Sequence, residues 1–171
     1  MRYPVPHLHS LRIWNCRKLK VVPHYMFSQA LKNLRIDDCP ELGEVQPWLP
    51  PLLEELILES NVGAFSKSLP LGGECSSYPN LKSVWIGSSP HSSLPKGFNQ
   101  LTSIQSLHFY QYETLDFELE ELKHLTMLQH LEIKYCPILR KRFRKGMDWR
   151  STLSHVPKIT FNRKEITRSR K

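Results

Sequence analysis

The side chains best suited to chemistry are four cysteines, Cys16, Cys39, Cys75 and Cys136, and eight histidines. A zinc centre needs ligands in pairs a few residues apart, because one short segment must present two donors to one ion. No two of these cysteines are closer than 23 residues, and the histidines are scattered along the chain. Nucleophilic or hydrolytic catalysis would call for G-x-S-x-G, H-E-x-x-H or a cysteine–histidine constellation, and none is present. The expectation is no catalytic residue, no metal and no cofactor: not an enzyme. Four thiols in 171 residues are too few for a disulfide scaffold, and no N-x-[ST] sequon occurs, which favours a reducing, intracellular compartment.

Charge is the next chemical resource. The net charge is +8. Residues 1–139 hold 12 Lys+Arg against 14 Asp+Glu, whereas residues 140–171 hold 12 against 2. The basic excess therefore belongs to the last 32 residues, in clusters such as Arg140-Lys141-Arg142 and Arg168-x-Arg170-Lys171. A nuclear-address or nucleic-acid patch is one reading. No aromatic residue follows Phe161 to stack on bases, so a solvated tail is preferred and nucleic acid is not the expected partner. No apolar run reaches the roughly 18 residues of a membrane span, and the N-terminus lacks the apolar stretch of a secretory signal.

What positions the remaining polar and aromatic residues is a repeat. Leu8-x-x-Leu11-x-Ile13-x-x-Cys16 recurs from Leu31, Leu53, Leu81, Ile104 and Leu128, the last as Leu128-x-x-Leu131-x-Ile133-x-x-Cys136. A weaker seventh copy begins at Val156. Starts are separated by 23, 22, 28, 23, 24 and 28 residues, within the usual period of ~20–29 residues of the leucine-rich repeat. The second and third apolar residues are two apart and so share one face of a short strand. One copy cannot bury them; a stack of copies can. The expected fold is an α/β solenoid, a leucine-rich-repeat horseshoe with short parallel strands on its concave face and a mostly irregular convex side. Prolines between the strand motifs exclude long helices there. Residues 115–127 read as a helix of one or two turns, and 62–79 and 140–155 as bulging loops. Cys16, Cys39 and Cys136 occupy one repeat position and are expected to be buried structural thiols. Residues 1–161 are taken as the repeat domain and 162–171 as a basic tail. Only seven residues precede the first motif, so the N-terminal end is expected to be cut, leaving an uncapped and marginal first strand.

Leu94-Pro95-x-Gly97-x-x-x-Leu101-Thr102-x-Ile104-Gln105-x-Leu107 and Leu125-Thr126-x-Leu128-Gln129-x-Leu131-x-Ile133-x-x-Cys136-Pro137-x-Leu139 resemble the repeats of plant intracellular nucleotide-binding leucine-rich-repeat disease-resistance proteins. The stretch Cys136-Pro137 to Lys141-Arg142, Gly146-x-Asp148-Trp149 and His155-Val156-Pro157-x-Ile159 is similar to how many of those receptors end. The phosphate loop, coiled coil and nucleotide-binding domain of the family do not precede these repeats. The resemblance implies a protein-recognition module in plant defence. Its implied partners are a pathogen effector, a guarded host protein or the receptor's own nucleotide-binding domain, in the cytoplasm or nucleus. Another intracellular repeat adaptor, such as a ubiquitin-ligase substrate receptor, is an alternative. The L-x-G-x-I-P motif of extracellular plant repeats is absent.

Between the inward leucines, the outward residues are the candidate partner-binding set. Stacking strands about 4.8 Å apart aligns equivalent positions into lateral columns. One column is Arg12, Arg35, Ile57, Trp85, His108 and Glu132; the next is Trp14, Asp37, Glu59, Gly87, Tyr110 and Lys134. These side chains are expected to face solvent. Aromatic residues on an open face are common interface anchors, so an apolar element of the partner is expected opposite Ile57, Trp85 and Tyr110.

Overall fold

The structure, a computed structural model, describes residues 7–43, 48–72, 78–144 and 149–165. Seven short strands lie side by side in chain order: β1 (Ser10–Trp14), β2 (Asn33–Asp37), β3 (Glu55–Glu59), β4 (Ser83–Gly87), β5 (Ser106–Tyr110), β6 (His130–Lys134) and β7 (Lys158–Phe161). All are parallel, and β8 (Lys164–Glu165) then pairs antiparallel with β7. The sheet therefore runs four residues into the stretch expected to be tail; residues 166–171 lie outside the described set.

Each strand forms where the repeat alternates. Leu34 and Ile36, Leu56 and Leu58, Val84 and Ile86, Leu107 and Phe109, and Leu131 and Ile133 are buried together with the leading Leu31, Leu53, Leu81, Ile104 and Leu128. The convex side closes the core with Val22, Leu42, Leu69 and Leu101. Two backbone devices repeat from turn to turn. The carbonyl of His9 accepts from the amides of Lys32 and Asn33, and Lys32, Glu54, Lys82 and Gln105 carbonyls do the same for the strand after each. The residue after every parallel strand, from Asn15, Asp38, Ser60, Ser88, Gln111 and Tyr135 to Asn162, has a left-handed backbone with φ between 45° and 60°. That conformation turns the chain out of the sheet, and its amide usually donates to the neighbouring strand's carbonyl, as Gln111 does to Lys134 at 2.9 Å. At the last of these positions the Asn162 side chain accepts from the Tyr135 amide at 2.7 Å.

The return segments hold single 3-10 turns at His24–Met26, Gly63–Ser66, Phe98–Gln100 and Leu119–Leu122. The helix expected over 115–127 is therefore one 3-10 turn, with Glu118 and Glu121 forming a reciprocal capping box. The loop expected over 140–155 is instead helical at α1 (Pro137–Arg144) and α2 (Trp149–Thr152). Proline at the first helical position suits the fixed φ of its ring, and Leu139 and Leu153 anchor the two helices in the core. Arg142 of α1 pairs with Asp116 (2.5 Å) and Glu118 (2.6 Å). Among the described residues, no helix is long and apolar enough to cross a membrane.

Cysteine burial is uneven along its column. Cys39 and Cys136 are buried, but Cys16 is exposed, contrary to expectation, and Cys75 lies outside the described residues. The three thiols nevertheless share one geometry, each donating to the carbonyl two residues earlier (Trp14, Asp37 and Lys134) at 3.4–3.5 Å. Cys16 is exposed because β1 is the sheet's edge: Leu8, Leu11 and Ile13 are only partly buried, whereas Leu34 and Ile36 beside them are 1% and 0% exposed.

Candidate binding face

The strand register aligns the two candidate columns as the repeat spacing implies. Arg12, Arg35, Ile57, Trp85, His108 and Glu132 are successive partners across the sheet, as are Trp14, Asp37, Glu59, Gly87, Tyr110 and Lys134. What differs is their exposure. Trp14 stands out at 61% exposed, with the Arg12 guanidinium 5.3 Å from its ring centroid. Glu59 and His108, expected to face solvent, are buried at 9% and 8% exposed. The outward face is not a row of free side chains; from β2 to β6 it carries two networks of paired side chains.

Glu59 is its acidic centre. Arg35 donates to one carboxylate oxygen, and the Tyr110 hydroxyl donates to the other across β4. Tyr110 and Glu59 are two strands apart, and the residue between them is Gly87. A Cβ on Gly87 would stand 2.6 Å from Tyr110 Cδ1, so the ring fills the space a side chain would take. Burial and the Glu59 carboxylate push the Tyr110 hydroxyl up to about 12, since both disfavour a second negative charge. Asp37, beside Glu59 in the column, accepts from the Ser60 hydroxyl at 3.0 Å.

The other column is held by stacking. The Trp85 indole and the His108 imidazole lie 3.8 Å apart between centroids and 10° from parallel. Trp85 Nε1 donates to Ser83 Oγ at 3.2 Å. His108 Nδ1 lies 3.0 Å from Glu132 Oε2, and Lys134 Nζ lies 3.8 Å from the other oxygen. Burial lowers the His108 pKa more than Glu132 raises it. At pH 7 the neutral tautomer with its proton on Nδ1 can donate to the carboxylate. Burial opposes ionisation of Glu132, but the His108 hydrogen bond and Lys134 outweigh it and hold its pKa low.

Between these networks lies a cavity of about 430 Å³, lined by Arg35, Glu55, Ile57, Glu59, Trp85, His108, Phe109, Tyr110, Glu132 and Lys134. Eight of the eleven candidate residues meet there. Arg12 and Trp14, on the edge strand β1, do not reach it, nor does Asp37 at the end of β2. Glu55 occupies an outward position of the third repeat outside the two candidate columns, and the notch at Gly87 was not singled out from the sequence. The one available signal was that Gly87 is the sole residue without a side chain in a column of aromatic and charged groups. Among the described residues, no three His, Cys, Asp or Glu groups come together as a metal site.

Protein-family models, curated proteins and solved structures yield no match to this chain. Its class rests on its own features: an open, sequentially ordered, mostly parallel sheet, one strand per repeat, is an α/β solenoid of the leucine-rich-repeat type.

Proposed function

We propose that the chain is a protein-recognition module that binds through the outward face of its sheet. We further propose that it serves plant defence as the repeat region of an intracellular nucleotide-binding immune receptor. It would there engage a pathogen effector, a guarded host protein or the receptor's nucleotide-binding domain, in the cytoplasm or nucleus. The observation that carries recognition is the cavity at the centre of the face, where Ile57, Trp85 and Tyr110 sit among held charges. Partly exposed aromatic groups fixed by neighbours lose little freedom on binding, which is what interface anchors require. The immune assignment rests on the repeat and C-terminal motifs alone. Arg142 of the first basic cluster is already engaged by Asp116 and Glu118, which speaks against that cluster as a free phosphate-binding patch.

Affinity capture from plant leaf extract tests this with three proteins: the native chain, a Trp85→Ala/Glu132→Lys variant and an Arg168/Arg170/Lys171→Ala variant. The native and tail variants should retain the same proteins and the face variant should lose them. The reverse pattern would assign binding to the tail. Steep weakening of duplex DNA binding with salt would then mark phosphate contacts. A phosphate-loop motif encoded in frame upstream of Met1 would support the receptor assignment, and an F-box segment there would replace it with a ubiquitin-ligase adaptor.

A further inference from the structure

The cavity has a charge imbalance that its position in the sheet makes consequential. Its lining includes three carboxylates, Glu55, Glu59 and Glu132, but only two cations, Arg35 and Lys134. Each cation is matched: Arg35 with Glu59, and Lys134 with Glu132. His108 adds no positive charge near neutral pH because burial lowers its pKa. Glu55 is left over. It is only partly buried, and its carboxylate makes no hydrogen bond or ion pair among the described residues. Its carboxylate therefore stands with open acceptor sites on the lining of the cavity, at the end toward which the Trp85 indole is held by its hydrogen bond to Ser83, the register partner of Glu55.

The surroundings favour one kind of guest. A concave wall of low dielectric focuses the field of an unmatched charge. A planar guanidinium can bind a carboxylate through two hydrogen bonds while its flat face lies on aromatic rings. A cavity of about 430 Å³ accepts one long side chain and not a folded element. We propose that this cavity is a receptor for a single arginine side chain projecting from the protein partner, with Glu55 as its counter-ion and the Trp85 indole as its aromatic wall. This rests on the recognition reading above and replaces the purely apolar contact expected from the aromatic residues alone.

The test needs no partner in hand. The isotope-labelled full chain is titrated with N-acetyl-arginine amide, N-acetyl-leucine amide and N-acetyl-glutamate amide while the indole N–H resonance of Trp85 is followed, Trp85→Phe identifying that signal. The arginine probe should shift it saturably and more tightly than the other two. Glu55→Gln should weaken the arginine probe about tenfold, as expected for loss of a charge-assisted pair. Glu41→Gln, an exposed carboxylate on a return segment, should leave binding unchanged. Arginine binding no tighter than leucine, or equal binding by Glu55→Gln with its native spectrum retained, would overturn the proposal. If the probes fail while the face variant still loses its captured proteins, this inference falls and the recognition reading stands. If the arginine probe binds through Glu55 while capture is indifferent to the face variant, the recognition reading falls instead.

Discussion

Gly87 stands between Glu59 and Tyr110, and its missing side chain is the space through which the tyrosine reaches the carboxylate. Gly87→Ala should displace the ring and cost about 1–3 kcal/mol by overpacking. Tyr110→Phe keeps the ring but removes one donor from a buried carboxylate, and should cost about 1 kcal/mol. Urea denaturation of both variants checks the order; an alanine as stable as the native glycine would mean the ring does not lie there. The histidines make a second prediction at this scale. Burial lowers the pKa of His108, His124 and His130 below the ordinary value of 6.5. The unfolded chain thus binds protons before the folded chain does. Stability is full above about pH 6.5 and should fall as the pH drops through that value. Urea midpoints at pH 7.5 and 5.5 should show the loss, and His108→Gln should reduce it. A midpoint rising toward acid would contradict the burial of these rings.

At the scale of elements, the repeating unit is a strand followed by a left-handed residue, and only two of the seven such residues are Asn. Ser, Gln and Tyr occupy that backbone region at a cost that Asn or Gly largely avoids. Gln111, with φ at 47° and an exposed side chain, isolates the effect. Gln111→Asn should be neutral or slightly stabilising, whereas Gln111→Val should cost about 1–2 kcal/mol because a branched Cβ clashes there. Thermal melts of the pair decide it, and equal melts would mean the turn relaxes. The same turns explain why the strands are only four or five residues long despite continuing apolar periodicity. The chain leaves the sheet at each left-handed residue and returns through proline-bearing segments that permit single 3-10 turns. The exceptions are α1 and α2, and α1 opens on Pro137, since proline can start a helix as readily as it can prevent one continuing.

Across the whole molecule, stability in a solenoid is a sum of neighbour contacts, so its edges are the least protected parts. β1 has one strand partner, and its inward Leu11 and Ile13 are partly exposed; β5 has two, and Leu107 and Phe109 are fully buried. Amide hydrogen exchange should therefore be fastest in β1 and slowest in β4 to β6. Leu107→Ala should cost about 2–5 kcal/mol and Leu11→Ala clearly less. Uniform exchange from β1 to β6 would show that the repeats unfold as one unit with no fraying edge.

The spacing of leucines determined the class of fold, the strand positions and the order of both outward columns. Inward apolar residues at a period of two can be buried only by stacking equivalent positions in register. Exposure at the outward positions was decided by the tertiary structure. Glu59 is buried because Arg35 and Tyr110 converge on it from different strands, and His108 because Trp85 stacks on it from the next. Cys16 is exposed and Cys39 buried at the same repeat position, because one lies on the edge strand's turn and the other has a neighbour on each side. Spacing along the chain states which residues share a column; it does not state how far each side chain leans across it. That depends on the volumes of the neighbours. At Gly87 the absence of one side chain lets a tyrosine from the next repeat complete a hydrogen bond with a glutamate from the repeat before.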